Sequence, residues 1–258
     1  MKMNFKIFST IITLCLSLII MSCGGNHKTK TVQTLKEKAS VPKKEEYIIK
    51  KDAVKDIDGN SYNSVVINGR EWMTSNLRVT RFNDSTPIIQ VKNGKELDKY
   101  LWENNYSYVN YDSLLVSDYG LYYNYETVET EKLCPDGWHV ASKEDWVKGI
   151  IQYTRDEIED KFYERELRSK AGWYYPDMNG NDKYKLNILP SGIRDETGKI
   201  VDFGMAAGFW TSTHNGGYRA CMFNTGGGMG IRVLDGRYGQ AVRCVKNKEK
   251  QEVLRDEF

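Results

Sequence analysis

Two short segments, each carrying one cysteine, constrain this chain most. Cys134-Pro135-Asp136-Gly137-Trp138-His139-Val140-Ala141-Ser142 lies at mid-chain, and Ala241-Val242-Arg243-Cys244-Val245-Lys246-Asn247 lies near the end. Most of the candidate domain falls between them or just before them. If the two thiols pair, one bridge ties the start of a helix to the last strand. The helix start is local chemistry: Ser142 with Asp145 three residues later makes a capping-box-like pair. Trp146, Val147, Ile150 and Ile151 then fall on one face at helical spacing. A second helix is predicted from about Arg155 to Lys170, with Ile158, Phe162 and Leu167 as its apolar stripe and charged residues covering the rest of its surface.

Turn chemistry predicts strands on both sides of that helix. Asn68-Gly69 separates Val65-Val66-Ile67 from Arg70-Glu71-Trp72-Met73. Asn-Gly is a strong hairpin signal, because a type I′ turn needs positive φ at both central residues. Asp235-Gly236 sits in the same way between Ile231-Arg232-Val233-Leu234 and Gln240-Ala241-Val242-Arg243-Cys244, which predicts a final hairpin. Asp56-x-Asp58-Gly59 lacks the further ligands and the closing Glu of a calcium loop, so it reads as a turn. Asp177-x-Asn179-Gly180-Asn181-Asp182 is a better calcium candidate. Its glycine is misplaced for an EF-hand and no Glu closes it, so a solvated turn is the favoured reading.

The first fifth of the chain has a different texture. Met1 to Lys6 is a short basic start, and Ile7 to Met21 is an apolar run too short to read first as a membrane span. The run ends Ile20-Met21-Ser22-Cys23, which is similar to the lipobox of bacterial lipoproteins. That resemblance makes Cys23 the diacylated N-terminus left after cleavage, with membrane lipid as its partner. From Gly24 to Lys51 lysines outnumber acidic residues and apolar periodicity is missing, which predicts a flexible basic tether. The predicted organisation is a leader over 1–22, a lipidated N-terminus and tether over 23–51, one domain over 52–247 and a charged tail over 248–258.

The formal charge is +2, and loss of the leader's Lys2 and Lys6 brings it to zero. Neither that balance nor any basic run interleaved with aromatics points to nucleic acid. The 17 Tyr and 6 Trp suit a folded β-rich domain, and core packing accounts for most of them.

Several blocks together resemble the Fibrobacter succinogenes major paralogous domain, a family of bacterial cell-envelope modules related to C-type lectin folds. They are the two cysteine segments, Asp56 through Leu77, Tyr119-Gly120-Leu121-Tyr122-Tyr123-Asn124-Tyr125, Gly172-Trp173, Leu189-Pro190-Ser191-Gly192-Ile193-Arg194 and Gly208-Phe209-Trp210-Thr211-Ser212-Thr213. The family usually has Trp where Tyr125 stands and Pro where Ala141 stands. The resemblance covers about Asp56 to Asn247. It implies an α+β, C-type-lectin-like domain in which two helices pack on short twisted antiparallel sheets with long loops. It implies a Cys134–Cys244 disulfide, which leaves Cys221 as an odd thiol. It implies a cell-envelope location, with the outer membrane as the expected anchor and the periplasmic or surface face left open.

The chemistry of the remaining residues names no reaction. His27, His139 and His214 lack metal-ligand spacing. Ser142, Ser191 and Ser212 have no His–Asp grouping visible in the sequence. Gly226-Gly227-Gly228 neither follows a strand nor opens a helix with a Lys-Ser/Thr, so it makes no phosphate cradle. No cofactor is implied. The formylglycine-generating enzymes share the broad fold, but their chemistry needs two neighbouring cysteines, which Cys221 cannot supply once Cys244 is paired. The sugar-binding Glu-Pro-Asn and Gln-Pro-Asp tripeptides of C-type lectins do not occur.

The favoured function is a non-catalytic module that binds a glycan, peptide or protein through loops. The alternative is a structural subunit of a surface or periplasmic assembly, of fimbria-tip or scaffold type, with the formylglycine-type oxidase as a remote third. The candidate ligand-binding residues are Trp210 and, on the long glycine-rich stretch from His214 to Tyr238 that follows it, Tyr218, Arg219, Arg232, Arg237 and Tyr238, side chains that favour interfaces. Replacing Cys23 by Ser is expected to leave an unlipidated precursor and abolish metabolic palmitate labelling; undiminished labelling would remove the lipobox assignment.

Overall fold

Strand periodicity divides the apolar residues between two cores. The computed structural model describes residues 46–158, 162–214, 217, 219–224 and 228–248, without the side chains of Arg219, Cys221 and Asn224. The leader, Cys23 and Tyr218 therefore lie outside the described residues. In chain order the strands are β1 (Ile49–Lys55), β2 (Ser61–Ile67), β3 (Arg70–Met73), β4 (Ile89–Gln90), β5 (Asn105–Tyr108), β6 (Leu121–Tyr123), β7 (Trp138–Val140), β8 (Ile193–Arg194), β9 (Ile200–Val201), β10 (Ala206–Trp210), β11 (Arg219–Asn224), β12 (Met229–Val233) and β13 (Cys244–Lys246). The helices are short: α1 (Gly94–Leu97), α2 (Val116–Tyr119), α3 (Tyr125–Glu129), and a π-wound segment Asp145–Gln152 that continues as α4 (Tyr153–Glu157).

The main sheet is antiparallel, in the order β1-β2-β3-β13-β7. Successive side chains on a strand point to opposite faces. Val65, Ile67, Trp72 and Val245 therefore enter one core with Trp146, Ile150 and Phe209. Tyr62, Met73, Val140 and Cys244 enter the other, with Tyr123, Tyr125 and Trp210. The antiparallel meander β10-β11-β12, the mixed sheet β4-β5-β6 and the pair β8-β9 complete a mixed α+β architecture with few helices. Most of the large aromatics are spent in packing: Trp72, Trp146, Trp210, Tyr62, Tyr122, Tyr123, Tyr125 and Tyr184 are fully buried.

The Asn68-Gly69 turn forms as its chemistry predicts. Ile67 pairs with Arg70, and both turn residues have positive φ, 48° and 68°. The helix start also forms. Ser142 Oγ accepts from the Asp145 amide, and Asp145 Oδ2 accepts from the Ser142 amide and hydroxyl. Trp146, Ile150 and Ile151 are buried and Val147 packs at the core edge. A π winding hydrogen-bonds i to i+5, which suits an apolar set spaced at i, i+4 and i+5.

Three sequence expectations differ from the structure. The first concerns the final hairpin. β12 pairs with β11 instead, and the chain after Val233 crosses to other sheets. Gly236 does not adopt positive φ, and Asp235 Oδ1 accepts from the Arg237 amide, so the dipeptide makes a side-chain-closed turn rather than a primed hairpin turn.

The second concerns the helix from Arg155 to Lys170. The first helix runs on to Glu157, Ile158 is extended (φ −126°, ψ 106°), and among the described residues up to Lys170 one 3-10 turn follows, at Tyr163–Glu166. Glu164 and Arg168 neutralise one another with no side-chain exposure, and the Arg168 guanidinium lies 4.6 Å from the Trp173 ring centre. Charges that composition assigns to solvent are inside. The third concerns the tether. Tyr47 is buried and its hydroxyl lies 2.9 Å from that of Tyr153, and β1 begins at Ile49. Packed structure therefore starts before residue 52.

Cys134 and Cys244 are joined, buried, and 110 residues apart in the chain. The bridge attaches the segment before β7 to β13, its hydrogen-bonded neighbour. Closing a loop of that length contributes about 4–5 kcal/mol in the chain-entropy picture. The Cys134→Ala/Cys244→Ala variant is expected to lose about that much in urea unfolding, and reductant should lower wild-type stability but not the variant's. An unchanged midpoint in the variant would contradict this.

Candidate functional site

The most exposed tryptophan and a surface arginine meet across the chain. Trp102 is 64 % exposed, on the loop after α1. The Arg237 guanidinium lies over its ring, 5.5 Å from the centre. Such a stack is attractive because the ring face is electron-rich. Arg237 is itself aimed by Asp235: Nε donates to Oδ1 at 2.9 Å and Nη2 to Oδ2 at 2.7 Å. The Arg237 guanidinium holds the Asp235 carboxyl below the usual carboxylate range. Beside them, burial and then a hydrogen bond to Glu196 push the Tyr238 phenol up.

Buried polar groups hold both loops from behind. Asn105 Nδ2 donates to the carbonyls of Tyr100 and Glu103, either side of Trp102, and Asn124 Nδ2 donates to the Glu103 carbonyl. Arg194, fully buried, donates to Asn105 Oδ1 at 3.0 Å and Ser107 Oγ at 3.3 Å. Burial pushes its guanidinium down to about 10, so it remains charged at neutral pH. The backbones of Arg194 and Gly239 exchange hydrogen bonds, which fixes the Asp235–Tyr238 turn to β8. An open groove of about 570 Å³, lined by Asn93, Gly94, Lys95, Asp98 and Thr197, lies between α1 and the β8–β9 turn.

The sequence-predicted site residues separate. Arg237 and Tyr238 sit on this surface. Trp210 does not: it is fully buried, its Nε1 donates to the Tyr123 carbonyl at 2.7 Å, and its ring meets Tyr125 edge-on. It is a core residue, because β10 sends it into the tyrosine-rich core. Arg232 is exposed on β12, in the meander. Arg219 opens β11, its side chain outside the described residues, as is that of Cys221. Trp102 carried no local signal for pairing with Arg237, since the contact is made by distant parts of the chain.

A second polar constellation was missed in the sequence, although its spacing is regular. His139, Ser142 and Asp145 follow one another at intervals of three and converge on one buried carboxylate. Asp145 Oδ2 lies 2.6 Å from Ser142 Oγ and 3.0 Å from His139 Nε2, and Oδ1 pairs with Arg70 of β3. His139 Nδ1 lies 2.7 Å from Asn247 Oδ1. The Ser142 hydroxyl is directed to the carboxylate, not to the imidazole, so the nucleophile–base contact of a hydrolytic triad is not formed. The group clamps β3, β7 and the helix start together. It borders a pocket of about 250 Å³ lined also by Glu71, Lys246 and Lys248.

The calcium-like segments use their oxygens in turns. Asp56 Oδ1 accepts from the amides of Asp58 and Asn60, and Asp58 Oδ2 from Thr80. Asn179, Asn181 and Asp182 accept from the amides of Trp173, Lys183 and Asn187. Among the described residues no three His, Cys, Asp or Glu side chains converge as metal ligands.

The model of the Fibrobacter succinogenes major domain matches residues 65–246. The chain belongs to that family. No curated protein and no solved structure matches the chain.

Loss of the Asp145 carboxylate strands Arg70 and uncaps the helix together. Asp145→Ala is expected to cost about 3–5 kcal/mol of stability, and Ser142→Ala about 1 kcal/mol, by chemical denaturation. Near-wild-type stability in Asp145→Ala would remove the clamp role.

Proposed function

We propose that the protein is a lipid-anchored cell-envelope module, held through Cys23, whose C-type-lectin-like domain binds a glycan, peptide or protein without catalysis. The observation that carries this reading is the Trp102–Arg237 stack. A tryptophan and an arginine, both side-chain types enriched in binding hot spots, meet on surface loops, the tryptophan exposed and the arginine half-buried, and are supported by a buried Arg194–Asn105 network. That is preorganisation: both groups are held before a ligand arrives, so little ordering entropy remains to be lost. Loops on a rigid disulfide-tied base are where binding residues concentrate.

A second reading, a subunit of an envelope assembly, is favoured by one observation. β1 is an edge strand of the main sheet, and Ile48, Ile49 and Val66 are exposed around it. Unpaired edges with apolar neighbours invite strand addition by another chain. The expected partner would then be a single protein at fixed stoichiometry, insensitive to Trp102.

An array of glycans, peptides and envelope proteins distinguishes the two. On the ligand found, Trp102→Ala and Arg237→Ala are each expected to weaken binding by about 1 kcal/mol or more, with the melting temperature nearly unchanged. Wild-type affinity in both variants and in their combination would refute the Trp102 surface as the site.

A further inference from the structure

A second aromatic surface stands apart from the residues assigned above. Tyr174 is 68 % exposed and Tyr175 50 %, and Phe203 and Met205 are exposed by a little over a third. The two tyrosine rings stand at 86° with centres 4.9 Å apart, so they form a corner with two walls. Phe203 packs on the half-buried Tyr119 at 5.3 Å and extends the aromatic surface. The backbone under the corner is fixed. The Tyr174 amide donates to the Gly204 carbonyl at 2.8 Å, and the Gly204 amide donates to the Pro190 carbonyl at 2.9 Å. Before the corner, Trp173 is buried against Arg168. After it, Pro176–Met178 makes a 3-10 turn.

Burial does not explain these rings, and neither do their hydroxyls. Neither the Tyr174 nor the Tyr175 hydroxyl hydrogen-bonds to any described residue. Two carboxylates lie close in the chain: Asp177 stands two residues after Tyr175 and Asp202 directly precedes Phe203, and both are exposed. A dry protein–protein core is depleted of such carboxylates. A corner of rings with available hydroxyls, and with exposed carboxylates one and two residues away in the chain, fits a ligand that has C–H faces to lay on the rings and hydroxyls to exchange hydrogen bonds, and that carries no negative charge. Tyrosine supplies this contact with little side-chain entropy to lose.

We infer that the Tyr174–Tyr175–Phe203 corner is a stacking site for a neutral saccharide. The inference names a ligand class for the binding reading above and rests on it, but places the contact at a different surface.

The test is affinity electrophoresis of the full-length protein in a polyoxyethylene detergent, which has no sugar headgroup. Gels would contain mannan, dextran, xyloglucan or, as an anionic control, alginate. At least one neutral polymer is expected to retard the wild type. Tyr174→Ala/Tyr175→Ala should lose at least tenfold in apparent affinity at unchanged melting temperature. Tyr174→Phe/Tyr175→Phe keeps the ring faces and should retain most of the retardation. Retardation by alginate alone, equal retardation of the Ala variant, or none by any neutral polymer would each overturn the inference. Loss in Trp102→Ala but not in the Ala variant would overturn the corner and leave the Trp102 surface standing.

Discussion

The segment from Gly239 to Lys246 is the piece on which the rest of the structure depends. Gly239 exchanges backbone hydrogen bonds with Arg194 of β8, and Gln240 with Tyr123 of β6. Ala241 donates to Gly208 and accepts from Trp210, both in β10. Cys244, Val245 and Lys246 then pair with β7, and Val245 also with β3. One stretch of backbone therefore joins all four sheets. The close approach has a steric requirement. At Gly208 a Cβ would collide with the buried Gln240 amide and the Ile193 methyl, so a larger residue there requires both side chains to shift.

A charge sits at the centre of this junction. Arg243 is fully buried and donates to Asn76 Oδ1 and to the carbonyls of Met73 and Leu186. Burial pushes its guanidinium down to about 9, yet it remains charged at neutral pH, held by acceptor dipoles rather than by a contacting carboxylate. The planar fork makes several fixed hydrogen bonds at once, which lysine could not reproduce. The arginine and the neighbouring disulfide thus restrain the same short segment by different means, one polar and one covalent.

What could be read from the sequence was what is decided locally. Asn68-Gly69 declared its hairpin because positive φ is a property of those two residues. Ser142 and Asp145 declared a helix start because the cap closes within four residues. Asp235-Gly236 misled for the complementary reason. The same dipeptide can close a turn through its own carboxylate, and only β11 decides what β12 pairs with. Trp210 looked like a ligand contact among glycines and polar residues. Its burial is set by Tyr123 and Tyr125, far away in the chain. Glu164 and Arg168 read as solvated charges because their mutual neutralisation is visible only once both are inside. Of the candidate surface, Arg237 and Tyr238 were legible as residue types, whereas Trp102 became their neighbour only through the fold.

The hub's position in the chain has a consequence for biogenesis. A ribosome, or any channel that threads the chain from its N-terminus, delivers the junction after everything it joins. Until then the sheets lack their common neighbour, and their edges stay open to wrong pairing. Contacts of such long sequence separation also form slowly, because chain closure precedes their reward. A chain that stops short of Gly239 forfeits the covalent tie, the buried arginine and the inter-sheet hydrogen bonds in a single loss.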